Sequence, residues 1–476
     1  MDTRALLQRL ESVGQQHLLK FQRELSPAAL AKLVAQIEAI DLDGLPRLIQ
    51  EYVKNKPHAA IPAAIKPAPY YPFNPSSPIR AWDRAGARDI GESLLKRGRV
   101  AAFTVAGGQG SRLGFEGPKG MYPAGAVTGK SLFQFFAEGL LAAARKYGAV
   151  VPWYIMTSPL NHEATVEYFE KNGHLGLDPQ DVMFFPQGVM PSFEMGTGRI
   201  LLASKDEIAS NPDGHGGSLK ALFTSGAIDD MRERGIQHIS YFQVDNPLVR
   251  VVDPVFLGLH AGAEDSSGEM SSKMIPKTGP EEKMGVFCTA GGGRVEVIEY
   301  SDLPRELAEQ RLPDGSLRFL AGSIAVHAMS VEFVARLNTD TNFSLPYHRA
   351  EKKIGHIDPD SGRLVQPTTN NGIKLERFVF DALPMCRASI VYETSRAEEF
   401  APIKNATGVD SVESSKAIQT ARAAAWMEAA GVKVPRDARG EPDCVVELSP
   451  LTALEPADLK QRPLSKAVER GAKLAL

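Results

Sequence analysis

Cysteine is scarce in this chain, with 3 among 476 residues. Cys288, Cys386 and Cys444 lie far apart and form no C-x-x-C pair. That spacing argues against a disulfide framework and a zinc site, and it fits a reducing compartment. No stretch of about eighteen apolar residues occurs, so no membrane-spanning helix is expected. Asp2 and Glu11 interrupt the N-terminal residues, so no leader peptide is expected and cytoplasmic is the default location. The formal net charge is only -3, which gives no global pull toward nucleic acid or a membrane surface. G-x-S-x-G, H-E-x-x-H and kinase signatures are missing, and no nucleophile for covalent catalysis stands out. Internal repeats and low-complexity segments are missing too.

With 43% hydrophobic and 23% charged residues, the chain reads as a soluble globular protein whose length calls for two or three domains. Leu6, Leu10, Val13, His17 and Phe21 recur at helical spacing. Ser26-Pro27 reads as an N-cap and first helical residue, opening a helix through about Ile40. A short helix follows over Pro46 to Tyr52. Residues 54–80 carry Pro57, Pro62, Pro67, Pro69, Pro72, Pro75 and Pro78, which favours an extended linker laid over the surface. From Val100 onward strands alternate with helices. Strands are expected at Val100 to Val105, Val151 to Thr157, Val182 to Phe185 and Ile239 to Val244. Helices are expected at Asn161 to Lys171, capped by Asn161, and at Ser218 to Arg234. This rhythm predicts an α/β layer with a mainly parallel sheet, whose ligands sit beyond the carboxyl ends of strands. Further on, Gly291-Gly292-Gly293 reads as the turn of a hairpin between Val286-Phe287-Cys288 and Val295 to Tyr300. Ser411 to Ala430 reads as an amphipathic helix and Cys444 to Leu448 as a final strand.

The densest chemistry lies in Val105 to Pro123, VAGGQGSRLGFEGPKGMYP. An apolar strand ends in Gly107, Gly108 and Gly110, which permit positive φ and close approach of a ligand to the backbone. Successive N–H groups there form an anion nest, and Arg112 and Lys119 add charge-assisted contacts suited to phosphate. The dinucleotide fingerprint fails because Leu113 stands where its third glycine belongs. Ala124 to Ser131, AGAVTGKS, imitates a P-loop, but it follows Met121-Tyr122-Pro123 instead of a strand, and Ser131 reads as a helix N-cap. Asp245, at the end of an apolar strand, suits magnesium, which takes few protein ligands and bridges to substrate phosphates. Asp213-Gly214-His215-Gly216-Gly217 is a second glycine-rich loop ahead of a helix. His215 has no neighbouring His or Cys to share a metal. Asn371 to Glu376 and Pro402 to Asn405 place Lys374 and Lys404 beside turn residues. Together these pieces point to phosphoryl or nucleotidyl transfer.

Several ordered blocks make the chain resemble the UDP-sugar pyrophosphorylase superfamily, above all its UDP-N-acetylglucosamine branch. They are GQQHLLKFQREL, AGGQGSRLG…PKGMYP, PWYIMTS, PDGHGG, VDNPLVRVVDPVF, VIEYSD, NGIKLERFVFD, APIKN and CVVELSPL. The resemblance implies an N-terminal helical region with its Pro-rich connection (1–95), a central Rossmann-like nucleotidyltransferase domain with a mixed, mainly parallel sheet (96–408), and a small C-terminal domain (409–476). It implies uridylyl transfer from UTP to a hexose 1-phosphate with Mg2+, and says nothing of oligomeric state. By the same resemblance, Gly107 and Gly108 contact the uracil and Gln187 reads it. Arg112, Lys119, Lys374 and Lys404 hold phosphates, Gly214 approaches the uridine, and Asp245 sits at the nucleotide and metal. His215, Glu299, Tyr300 and Ser323 are the sugar positions. His215 and Ser323 stand where the acetylglucosamine branch usually has Asn, which leaves glucose 1-phosphate as a competitor. A UDP-sugar binder without turnover and a P-loop kinase using Lys130 are the remaining alternatives.

Overall fold

The apolar runs expected as strands become the middle of one mixed ten-stranded sheet. The computed structural model describes residues 3–56, 65–290, 292–340 and 344–476. Its sheet strands are β1 (Lys66–Pro67), β2 (Val100–Val105), β3 (Trp153–Thr157), β4 (Val182–Pro186), β5 (His238–Gln243), β6 (Met270–Pro276), β7 (Val286–Thr289), β8 (Val295–Ile298), β9 (Ala321–Ser330) and β10 (Val391–Glu393). The order is β1-β7-β9-β5-β2-β3-β4, with β6 bridging β9 to β10 and β8 beside β7. The central strands β5, β2, β3 and β4 are parallel. A parallel centre is covered on both faces, which is why β2 and β3 read as unbroken apolar runs and not as alternating ones. The antiparallel partners of β5 and β7 lie along β9.

Contacts divide the chain into two compact units. One comprises Met1–Ala60, Gln187–Ser218 and Ser344–Asp381, and the other Ile61–Pro186, Leu219–Phe343 and Ala382–Leu476. The first unit packs Leu10, Leu18, Leu33 and Ile37 of its N-terminal helices with Phe193, Ile373 and Leu375. Its small sheet sets His348–Lys352 against Gly372–Glu376, which pairs in turn with Phe193–Glu194. The second unit holds the large sheet and an aromatic core of Phe133, Phe136, Trp153, Phe169 and Phe242. Two of its helices, α1 (Arg84–Lys96) and α2 (Pro254–Gly262), cross where neither has a side chain. A Cβ on Gly91 would lie 1.8 Å from the Pro254 carbonyl oxygen, and one on Gly258 1.6 Å from that of Ala87.

Several local expectations change. The leading helical pattern is not one helix: Thr3–Ser12 is helical, and tighter turns at Gln16–Leu19 and Gln22–Glu24 follow. The expected Ser218 to Arg234 helix is two, Gly217–Thr224 and Ala227–Glu233, broken at Gly226 with φ +81. The Pro-rich connection is more than a surface linker. Lys66 and Pro67 pair with Thr289 and Cys288 at the sheet edge, and the Tyr71 N–H donates to the Val391 carbonyl. An edge strand tolerates proline because no ladder partner needs its missing N–H. Pro57 and Pro62 lie outside the described residues, as does Gly291 of the hairpin, whose arms pair as expected from Val286↔Ile298 to Thr289↔Val295. Ser26 and Ser131 cap their helices as expected, and Ser411 is also a cap.

The crossing of α1 and α2 generates a stability prediction. Gly91→Ala should cost about 1–3 kcal/mol, the scale of overpacking against a fixed backbone. The urea midpoint reads it, and a wild-type midpoint would refute the close approach.

Candidate functional site

Strands β2 and β5 are parallel neighbours, with Val105 opposite Gln243. Their carboxyl ends therefore deliver the glycine loop and Asp245 to the same place, and the Val244 N–H donates to the Val105 carbonyl there. The glycine loop does not turn as its first glycines suggest. Among the described residues, its positive φ angles fall at Gly114 (+68) and Gly117 (+137), not at Gly107, Gly108 or Gly110. The Gly110 N–H donates to Gly117 and the Lys119 N–H to Gly108, so the loop folds back and returns Lys119 beside Gly108. Gly108 is exposed, and an added Cβ would meet only the Lys119 Cδ, at 3.9 Å. Backbone is bare where a ligand can reach it. Gly120 is held from below, since its Cβ would fall 2.1 Å from the Phe133 ring.

Lys119 Nζ lies 3.8 Å from Asp245 Oδ2, both side chains being largely buried. Burial pushes the Lys119 ammonium below the ordinary lysine range; Asp245 opposes that, while Lys404 and Arg112 push it further down. A largely buried lysine paired with one carboxylate thus feels two further cations, Arg112 and Lys404, an arrangement that an arriving polyphosphate would neutralise. Lys404 arrives on a segment tied to the end of β5. The Ile403 N–H donates to the Asp245 carbonyl at 2.8 Å. Asn246 Nδ2 donates to the Glu399 carbonyl at 2.6 Å, and its Oδ1 accepts the Ala401 N–H at 3.1 Å. Asp410, with φ +55, reaches to 4.0 Å from Lys404 Nζ; burial raises its carboxyl, and Lys404 opposes the shift.

Beneath this segment lies a cluster that no local pattern announced. Lys273 Nζ sits 2.7 Å from both Asp253 and Glu399, and all three side chains are at most 3% exposed. The Thr394 hydroxyl and the Arg250 N–H also donate to Glu399. These three charges lie at positions 253, 273 and 399, too scattered to be read as a motif.

The residues of this unit expected to face a sugar lie along β7, β8 and β9. Glu299 and Tyr300 follow β8, and Val286 of β7 pairs with Gly322, next to Ser323. The Ser323 N–H donates to Gly285, and its hydroxyl accepts a long contact from the Ala325 N–H at 3.4 Å.

The other unit carries Gln187, Gly214, His215 and Lys374. Gln187 is buried and donates to Asp213 Oδ1 at 3.5 Å. Gly214 has φ +84, and a Cβ there would collide with the Arg377 backbone oxygen at 2.4 Å, so only glycine fits. Lys374 lies on the strand Gly372–Glu376, opposite Ala350. His215 Nδ1 accepts the Val379 N–H at 3.1 Å, which leaves the neutral ring's proton on Nε2. Its ring is parallel to Phe378 at 4.9 Å, and His348 stacks on the same Phe378 at 4.0 Å. Burial, with His348 second, pushes the His215 imidazole down to about 4. It is therefore a neutral donor at physiological pH, not a base or a charged partner.

The P-loop look-alike is already filled. The Val127 and Thr128 N–H groups each donate to Glu447 at 2.8 Å, and the Thr128 hydroxyl adds a third bond at 2.6 Å. Lys130 is taken by Glu138 at 2.8 Å. Burial opposes charge on Glu447, yet these donors hold its carboxyl below the ordinary range. The loop's anion is a side chain of the protein itself. Asn161 departs from the expected cap: it occupies the cap position of helix α3 (His162–Lys171) but makes no capping bond.

Among the described residues no group of three or more His, Cys, Asp or Glu could hold a metal, and no helix is long and apolar enough to cross a membrane. A single carboxylate such as Asp245 would suit magnesium, which keeps most of its shell for water and substrate oxygens.

A fold that ends two parallel strands in a phosphate loop and a carboxylate defines a nucleotidyltransferase-like site. Residues 44–435 match the UDPGP family, described as UTP–glucose-1-phosphate uridylyltransferase. The chain belongs to that family. It is 35% identical over 467 residues to UDP-N-acetylglucosamine diphosphorylase 2 of Arabidopsis thaliana, covering 94% of this chain and 89% of the relative. It is 36% identical over 353 residues to the UDP-N-acetylglucosamine pyrophosphorylase of Saccharomyces cerevisiae, covering 72% and 73%. The uridine diphosphate N-acetylglucosamine pyrophosphorylase of Trypanosoma brucei, solved with an inhibitor, superposes with TM-score 0.78 at 28% identity, covering 97% of this chain and 94% of that one.

Two outcomes follow from this geometry. Lys119→Ala should cut turnover about a hundredfold or more, the scale for losing one preorganised charge-stabilising donor, whereas Lys130→Ala should leave it within about threefold. Steady-state rates of the two variants read the contrast, and the reverse pattern would restore the P-loop assignment. Nitrogen NMR of the His215 ring should show the neutral Nε2–H form from pH 8 down to 6; protonation near 6.5 would refute the buried-acceptor geometry.

Proposed function

We infer that this protein is a uridylyltransferase that joins UTP to N-acetylglucosamine 1-phosphate and releases pyrophosphate. The observation that carries the reading is Lys119, paired with Asp245 at the ends of β2 and β5 and within electrostatic reach of Arg112 and Lys404. The sugar phosphate oxygen forms a bond to the α-phosphorus of UTP as the bond from that phosphorus to the bridging oxygen breaks. The bridging oxygen leaves with the pyrophosphate. A phosphate monoester is already anionic near neutral pH, so no general base is needed.

In this reading Lys119 and Lys404 stabilise charge around the transferred phosphorus, and Arg112 offsets charge on the departing pyrophosphate. Gly107 and Gly108 present their backbone to the uracil. Asp245 would hold magnesium, which when bound supplies neutralising charge for the phosphates. Gln187 is assigned to the base, Gly214 to the uridine and Lys374 to a phosphate. Glu299, Tyr300 and Ser323 are assigned to the sugar, together with the Nε2–H of His215. A cytoplasmic location is consistent with three dispersed free thiols.

Glucose 1-phosphate remains the second reading, because His215 and Ser323 replace the usual asparagines. Serine is shorter than asparagine and lacks the amide's two donors, so one contact to an acetamido group is lost. A panel of hexose 1-phosphates with UTP, read by pyrophosphate release, tests both readings. N-acetylglucosamine 1-phosphate should be used, and Ser323→Asn should raise its efficiency relative to glucose 1-phosphate. Use of glucose 1-phosphate with none of the acetylated sugar overturns the sugar assignment. No release with any sugar overturns the enzyme reading and leaves a binding protein.

A further inference from the structure

Asn161 is 1% exposed and spends its whole amide on the glycine loop and one turn. Its Nδ2 donates to the Ala106 carbonyl at 3.0 Å and to the Gly108 carbonyl at 3.2 Å. Its Oδ1 accepts the Ser158 N–H at 2.7 Å and the Ser158 hydroxyl at 3.0 Å. Asparagine alone among the short polar residues offers two donors and an acceptor from one planar group. Aspartate would set its oxygens against two carbonyl oxygens, and serine has one donor and a shorter reach.

In a trans peptide the carbonyl of one residue and the N–H of the next point in opposite directions. Turning the carbonyls of Ala106 and Gly108 inward onto Asn161 therefore turns the N–H groups of Gly107 and Gln109 the other way. Neither N–H donates to another protein group among the described residues. The Gly108 carbonyl also accepts the Lys119 N–H at 3.0 Å, so the contact that aims the loop also seats Lys119. We propose that Asn161 is a positioning residue that holds the glycine-loop carbonyls inward and thereby presents the Gly107 and Gln109 amides to the nucleotide. This rests on the reading of the loop as the UTP site.

The test uses substitutions that separate loop positioning from helix capping. Serine and aspartate are both good N-caps, so Asn161→Ser and Asn161→Asp preserve or improve the start of α3. Neither can donate to both carbonyls. Asn161→Asp should raise KM for UTP or lower kcat by about ten- to a hundredfold in total, the range for a misplaced positioning group. KM for the sugar 1-phosphate should change little; the thermal unfolding temperature of Asn161→Asp should fall, because its buried carboxylate faces two carbonyl oxygens, so the UTP kinetics are read in Asn161→Ser as well. Amide hydrogen exchange reads the same claim without substrate: Asn161→Ser should speed exchange across residues 106–110 and leave 162–171 unchanged. Wild-type UTP kinetics in Asn161→Asp with unchanged loop exchange in Asn161→Ser overturns the proposal. If the wild-type enzyme releases no pyrophosphate from UTP, the functional reading fails while the exchange result still decides whether Asn161 sets the loop.

Discussion

Lys119 is held in a buried position with Asp245 as its counter-charge and with Arg112 and Lys404 as like-charged neighbours. Such a grouping is unfavourable for the protein alone, because each cation lowers the cost of neutralising the next. It becomes favourable when an anion of several charges arrives. Much of the surrounding architecture keeps that unfavourable arrangement from relaxing. Phe133 fills the space left by Gly120, Gly108 and Lys119 are joined through the backbone, and Asp245 receives the chain that brings Lys404.

The buried trio of Lys273, Asp253 and Glu399 belongs to the same support. Glu399 lies four residues before Ile403, and Asn246 grips its carbonyl from the end of β5. Removing one member of a buried ion group strands the others, at a cost of about 3–5 kcal/mol, so this segment has little freedom to swing Lys404 away. Asp253 also accepts the Val255 and Phe256 N–H groups at the start of α2. The charge that steadies Lys404 is thus also a helix cap. Far along the chain, Glu447 occupies the nest at 125–130, which fixes the stretch between Lys119 and the Ser131 helix.

The parallel strands, the strand-end position of the glycine loop and Asp245, and the rejection of AGAVTGKS as a phosphate site were all legible in the residues. They depend on local signals: apolar runs, a glycine string, and the absence of a strand before a look-alike motif. What stayed hidden depends on partners distant in sequence. Asn161 reads as a helix cap because Asn before a helix usually caps it, and only the fold brings Ala106 and Gly108 within reach of its amide. Glu447 could not be foreseen as the anion of the 125–130 loop, since more than three hundred residues separate them. His215 was legible as unusual in type, but its neutral tautomer is set by the Val379 N–H and the stacked Phe378. The break at Gly226 left a local trace, the Ser225-Gly226 pair, which the helical pattern on either side outweighs.

The most direct measurement of the central claim is the titration of the Lys119 ammonium by NMR, with and without UTP. In the free protein its pKa should lie below the ordinary lysine value, and binding of UTP should raise it as the excess positive charge is neutralised. A pKa that is ordinary in the free protein, or unmoved by saturating UTP, would contradict the account.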